Sequence, residues 1–213
     1  MPVGDAGAER SDDRAAPPVE RVGILGGTFD PIHVGHLVAA TWARDALALD
    51  RVLLVVANEP WQKTGRRKVT AAEDRLAVVG AAVEGVPGLE PCRIEIDRGG
   101  PSYTVDTVRE LTDGHPGTQF FLVVGADVAA ELDTWHEVEA LAALVRLVIV
   151  DRGGVESAED PPGWQVERLP IPALDVSSSG LRDRLAAGRS VDFLIPAPAI
   201  LCIGRLGLYA GPR

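Results

Sequence analysis

The sequence predicts an α/β chain folded around a doubly wound parallel sheet, as a single domain with a helical C-terminal part. Two observations carry this. From residue 21 onward, short apolar runs rich in Val, Leu and Ile alternate with stretches of helical periodicity, an alternation that builds βαβ units with helices on both faces of a parallel sheet. The glycines, histidines, hydroxyls and tryptophans that a core does not need follow directly after the runs, at the strand ends where open parallel sheets gather their ligands.

In order along the chain, "MPVGDAGAERSDDRAAPPVE" (1–20) has neither helical nor strand periodicity and is expected to be a disordered tail before a domain spanning 21–213. "RVGIL" (Arg21 to Leu25) is the first strand, followed by a helix over "HLVAATWARDALAL", and "RVLLVVA" (Arg51 to Ala57) is the second. "TAAEDRLAVVGAAVEG" is the next helix, with Thr70 and Glu73 at the spacing of a capping box. "CRIEI" (Cys92 to Ile96) reads as the third strand, a helix starts near Pro101, and "QFFLVVG" (Gln119 to Gly125) is the fourth strand. A helix follows Trp135, and "RLVIV" (Arg146 to Val150) is the fifth strand. After a polar Gly/Pro loop, Asp151 to Gly163, come a last strand in "WQVERLP" and helices around Leu181 to Ala187 and Pro198 to Arg205.

A formal net charge of −10 argues against a general binder of nucleic acid or of membrane surfaces, because either partner would be repelled by the summed field. A small anionic substrate is still admissible, since a few local positive groups override net charge. No run approaches the length of a membrane span, and the first residues lack the apolar core of a signal peptide, so a cytoplasmic location is expected. Cys92 and Cys202 are too few to staple a chain of this size and are read as reduced, buried thiols.

Five loops then share one rim: "GGTFDPIHVGH" after the first strand, "NEPWQK" after the second, "DRGGPSYT" after the third, "GADVAAELDTW" after the fourth and "SSSGLR" after the last. Gly26 and Gly27 admit close approach of a bulky ligand, and Thr28 adds a hydroxyl beside exposed N–H groups, which favours a phosphate. The loop has neither GxxxxGK[ST] nor GxGxxG spacing, so it is neither a Walker loop nor a dinucleotide fingerprint. His33 and His36, three apart across a helix start with Gly35 between them, can donate to phosphoryl oxygens as charge builds. "SSSGLR" supplies hydroxyl caps at a second helix start, with Arg182 one turn inside for a bidentate phosphate contact. Together these residues describe a polyphosphate clamp. Taken singly, each has a structural explanation, from surface histidine to helix cap; their shared position on one rim is what points to a site.

"GGTFDPIHVGH" resembles the signature of the HxGH nucleotidylyltransferases, and "VSSSGLR" resembles their C-terminal signature, with a third Ser where Thr is usual. "GGPSYTVDTV", "FLVVGADVAAELDTWHEVEAL" and "FLIPAPAILCIGRLGLY" are similar to bacterial nicotinate-nucleotide adenylyltransferases, over essentially Arg21 to Tyr209. The resemblance implies a Rossmann-like fold and adenylyl transfer from ATP to nicotinate mononucleotide, giving deamido-NAD and pyrophosphate in NAD biosynthesis, with Mg²⁺ accompanying ATP. It implies catalytic roles for His33, His36 and Arg182, and ATP contacts at Gly26, Gly27, Thr28, Phe29, Gly35, Gly125, Asp127, Ser178 and Ser179. For the mononucleotide it implies Ser102, Tyr103, Thr104 and Trp135; Lys63, by its place after the second strand, is a candidate cationic contact for a phosphate or carboxylate, and no residue is assigned to a protein-held metal. Where relatives carry "PPHK" this chain has "PWQK", and His136 stands at an often aromatic position. The alternatives are another acceptor, as in phosphopantetheine adenylyltransferases or cytidylyltransferases, and a non-catalytic nucleotide-binding module. Whether the chain is a monomer or a homo-oligomer is not written in the sequence.

Overall fold

A computed structural model describes residues 19–60, 69–151 and 159–211; residues 1–18 of the expected tail and Lys63 lie outside the described residues. Six strands form one sheet: β1 (Arg21–Gly27), β2 (Arg51–Val56), β3 (Leu89–Cys92), β4 (Gln119–Gly125), β5 (Arg146–Asp151) and β6 (Val166–Pro170). Every pair is parallel, in the order β3-β2-β1-β4-β5-β6. That is the doubly wound order, in which the chain reverses direction between β1 and β4 and leaves a crevice at their carboxyl ends.

The period of two along the strands explains the two cores. Leu25, Leu54, Val56, Phe121, Val123, Val148 and Val150 face one side, against α1 (Val34–Ala46), α2 (Ala72–Val83), α7 (Ser178–Ala186) and α8 (Ala197–Leu206). Val22, Ile24, Leu53, Val55, Leu122, Val124 and Ile149 face the other, against α4 (Thr104–Gly114) and α6 (Val138–Leu144). Strands buried on both faces read as continuous apolar runs, which is why they were visible in the sequence.

Two expectations need correction. "CRIEI" is not a strand: β3 ends at Cys92, and Ile94–Arg98 is a short helix, α3. The alternation there misled because the residue it buries is Glu95, whose carboxylate accepts from Thr107 Oγ1 at 2.7 Å. The Thr70/Glu73 capping box does not form either; α2 starts from Ala71 without a side-chain cap, and the Thr70 carbonyl instead accepts from Arg75 Nε at 2.8 Å. Cys202 is buried and Cys92 only half-buried, both as free thiols, and burial pushes the Cys92 thiol up from its ordinary value.

Candidate active site

The register of β1 on β4, ending at Ile24 beside Leu122, brings Gly27 and Gly125, each three residues further on, to the same level at the sheet's reversal point. Around this crevice the loops take their places. Gly26 is exposed, and a Cβ built on it meets nothing within 4 Å, so the backbone there faces open space. Gly27 is required for a different reason: a Cβ would lie 2.9 Å from the Phe29 ring. Phe29 has φ 47° and is 2% exposed. Its left-handed backbone, which costs a bulky residue about 1–3 kcal/mol, tucks the ring under Gly27 and edge-on to His36, 5.0 Å between centroids. Its side chain is therefore a support for the loop, buried away from the crevice.

His33 and His36 cap α1 reciprocally. His33 Nδ1 accepts from the Gly35 N–H and His36 Nδ1 accepts from the His33 N–H, both at 3.2 Å, and the rings lie 3.8 Å apart at 33°. These are two of the backbone groups that any helix start leaves without an intrahelical partner. Because each Nδ1 accepts, each neutral ring carries its proton on Nε2, so capping fixes the tautomer that makes both rings donors on the edge remote from the helix backbone. Gly35 leaves room for the His33 ring, since a Cβ would come within 3.1 Å of it.

The second signature docks onto the first. Arg182 Nη1 donates to the Asp30 carbonyl at 2.7 Å, and Ser178 Oγ donates to the Pro31 carbonyl at 2.9 Å. Ser177 is the actual N-cap of α7, accepting from the Gly180 N–H at 3.2 Å, and its Oγ sits 3.2 Å from the exposed Ser179 Oγ. Asp30 is 1% exposed and its Oδ1 accepts from the Tyr209 hydroxyl at 2.7 Å; burial and that carboxylate raise the Tyr209 hydroxyl well above its ordinary value. The residues expected to handle phosphate are thus gathered by the single loop 29–36.

On the acceptor side, Ser102 is committed to the scaffold. Its Oγ accepts from the Asn58 N–H at 2.8 Å, its N–H donates to the Glu59 carbonyl at 3.0 Å, and its hydroxyl also bonds the buried Glu95. Tyr103 is the N-cap of α4 and makes no side-chain cap, so none of the first-turn N–H groups around Thr104 is capped by it. The Tyr103 ring lies 4.5 Å from the His136 ring, tilted at 35°. His136 Nε2 is 3.3 Å from Glu137 Oε1, and Glu137 pairs with Arg109 at 2.6 Å. Trp135 is half-buried against the same core as Tyr103, and among the described residues its buried indole nitrogen has no hydrogen-bond partner. The stretch before it forms a short helix, α5 (Ala126–Ala129), and a 3-10 turn, Leu132–Thr134. Asp127 is exposed at the exit of β4, and a side chain on Gly125 would collide with its carboxylate.

The cytidylyltransferase-like family model matches residues 24–184, from β1 through the second signature. A Streptomyces coelicolor protein named "probable nicotinate-nucleotide adenylyltransferase" is 44% identical over 190 residues, covering 88% of this chain and all of that protein. One of the same name from Corynebacterium kroppenstedtii is 42% identical over 192 residues, 89% of this chain and 90% of that one. The chain belongs to the cytidylyltransferase-like family, among the nicotinate-nucleotide adenylyltransferases. The fold agrees: the nicotinic acid mononucleotide adenylyltransferase of Plasmodium falciparum, solved with NaAD, superposes with a TM-score of 0.72 at 19% identity, over 89% of this chain and 97% of that one.

Sequence reasoning missed Arg75 and Glu95, the buried ion-bearing groups beneath the rim. Arg75 did leave a trace, since it stands three, four and seven residues before Val78, Val79 and Ala82, on the helix stripe that should be apolar.

Proposed function

We propose that the protein transfers the adenylyl group of ATP to nicotinate mononucleotide, giving deamido-NAD (nicotinate adenine dinucleotide) and pyrophosphate. The observation that carries this reading is the reciprocal histidine cap, which fixes the tautomer of both rings, His33 buried and His36 half-buried, in the loop that also anchors Arg182 and borders the crevice between β1 and β4. The family's activity supports the reading.

The 5′-phosphate of the mononucleotide is already a nucleophile, so no protein base and no covalent intermediate is needed. An oxygen of that phosphate attacks the α-phosphorus of ATP while the bond to the bridging oxygen breaks, and pyrophosphate leaves with the electron pair. His33, His36 and Arg182 supply positive or donor groups where charge accumulates on the transferring and leaving phosphates. Gly26 leaves room for the phosphates, with the Thr28 and Ser179 hydroxyls as neutral partners. The Ser178 hydroxyl, already donating to Pro31, can serve a ligand only as an acceptor. Gly125 and Asp127 face the ribose of the adenylate. The first-turn N–H groups of α4 around Tyr103 and Thr104 suit a pyridine carboxylate, because a helix start favours an anion, and the Trp135 indole stacks on the ring.

Mg²⁺ fits this site as a companion of ATP. Among the described residues there is no group of three His, Cys, Asp or Glu side chains that could hold a metal, and Mg²⁺ is ordinarily held by substrate phosphates and waters with few protein ligands. Bound that way it neutralises charge on the polyphosphate. No helix among the described residues is long and apolar enough to cross a membrane. The test is steady-state pyrophosphate release from ATP and Mg²⁺ with nicotinate mononucleotide, nicotinamide mononucleotide or phosphopantetheine. Nicotinate mononucleotide should give the highest kcat/KM, and equal or faster turnover of phosphopantetheine would reject the reading.

A further inference from the structure

Arg75 is 1% exposed, so it touches neither substrate. Its guanidinium nevertheless reaches four backbone carbonyls in three separate segments. Nε donates to Thr70 at 2.8 Å, Nη1 to Thr28 at 2.7 Å, and Nη2 to Ala57 at 2.6 Å and to Asn58 at 3.2 Å. Thr28 belongs to the phosphate loop after β1, Ala57 and Asn58 form the exit of β2, and Thr70 precedes α2. The chain of contacts continues outward. Asn58 gives its N–H to Ser102 Oγ at 2.8 Å and its Nδ2–H to the Gly100 carbonyl at 3.0 Å, while Glu59 accepts from the Ser102 N–H. One planar cation is therefore the common anchor of the loop expected to hold ATP and the loop expected to hold the mononucleotide.

The rigid fork of a guanidinium fixes its acceptors relative to one another in a way that a flexible ammonium cannot. Leaving a buried carbonyl without its donor is costly, so the loops would move to find other partners. We propose that Arg75 is a positioning residue, which sets the spacing between the phosphate loop after β1 and the acceptor loop before α4 without contacting substrate. This rests on the adenylyl-transfer reading above. In that reaction the attacking oxygen and the α-phosphorus come from opposite loops, so a shift of about 1 Å between them costs on the order of a hundredfold in rate.

The experiment compares Arg75→Lys, which keeps the charge and breaks the fork, Arg75→Met, which loses both, and Val79→Ala, a fully buried position further along α2. Each is assayed at a temperature where its melting curve shows it folded, and amide exchange is followed at Ala57, Asn58 and Ser102 with Phe121 and Val123 of β4 as references. Arg75→Lys should lower kcat on the order of a hundredfold with the KM for ATP within about threefold, because the charge is kept. The Ala57, Asn58 and Ser102 amides should exchange at least about tenfold faster, as expected of a local opening, while those of β4 do not change. Val79→Ala should keep kcat within about twofold at whatever melting temperature it has, since its loss is one of packing. Three results would overturn the proposal: an Arg75→Lys enzyme with near-normal kcat, in which case a defect confined to Arg75→Met reports charge alone; equal loss of kcat in Val79→Ala at a matched melting temperature; or unchanged exchange at the rim. If the wild type fails to use nicotinate mononucleotide, the adenylyl-transfer reading falls by itself, and the exchange data still decide what Arg75 does.

Discussion

His36 holds two roles that can be separated. Its Nδ1 accepts the His33 N–H, a capping bond, and its Nε2–H is the donor assigned to phosphate. Replacing a cap acceptor by alanine costs about 1 kcal/mol of stability, whereas removing one preorganised donor costs about 2.7–4 kcal/mol of transition-state stabilisation, a factor of roughly 10² to 10³ in kcat. Asparagine puts an acceptor near the Nδ1 position and nothing at Nε2; glutamine reaches the Nε2 position with a donor and abandons the cap. His36→Asn should therefore melt close to the wild type while kcat falls roughly a hundredfold or more, with ATP affinity changed much less. His36→Gln should lose about 1 kcal/mol in a denaturant titration and retain more activity than His36→Asn. Urea midpoints and steady-state kinetics on the pair decide the matter. If His36→Asn turns over normally, or if activity follows stability in both variants, His36 is only a helix-entry residue and the assignment of its Nε2–H to catalysis is wrong.

Trp135→Ala should raise the KM for the mononucleotide roughly tenfold or more, from lost stacking and apolar contact, and leave the KM for ATP nearly unchanged; a parallel loss of both affinities with a lowered melting temperature would make Trp135 a core residue. Gly26→Ala and Gly27→Ala should differ in kind. The first meets open space and should melt normally while raising the KM for ATP, and the second crowds the Phe29 ring and should lose stability as well as turnover. Equal melting temperatures for the two would contradict the packing described. Glu95→Gln tests the buried carboxylate. Burial holds its pKa above the ordinary value despite bonds from Ser102 and Thr107, so the folded state binds the proton more tightly than the unfolded chain. Stability from this group is therefore present at low pH and is lost as pH rises past the ordinary glutamate value toward the raised one. The variant should gain on the wild type in melting temperature as pH rises past the ordinary glutamate value, about 4.3, and a gap that stays constant across the titration would show that the carboxylate titrates alike in both states.

The strands were legible because burial on both faces writes them as uninterrupted apolar runs, as in "RVLLVV" and "QFFLVV". β3 was not, because at the sheet's edge it reads "LEPC", with a proline and a carboxylate where a run was sought. The clamp residues were legible from their chemistry, yet their bonding was not. Sequence placed Arg182 as catalytic, Ser178 and Ser179 as ATP contacts and Ser102 as a mononucleotide contact. In the structure the hydroxyls of Ser178 and Ser102 and one arm of Arg182 are committed to the protein itself, while Ser179 is exposed. A side chain's partners at sequence separations such as the 152 residues between Asp30 and Arg182 have no local signature. The same holds for Arg75, whose position on the apolar stripe of α2 was a visible anomaly but whose four carbonyl partners come from loops that only the fold brings together.

The central claim, adenylyl transfer to nicotinate mononucleotide, is tested most directly by competition. Purified protein is given ATP labelled at the α-phosphate, Mg²⁺, and nicotinate mononucleotide, nicotinamide mononucleotide and phosphopantetheine at equal concentrations, and the label is followed into products. Most of it should appear in deamido-NAD, with one pyrophosphate released per product. Label chiefly in dephospho-coenzyme A or NAD, or ATP bound with no label transferred, would contradict the account.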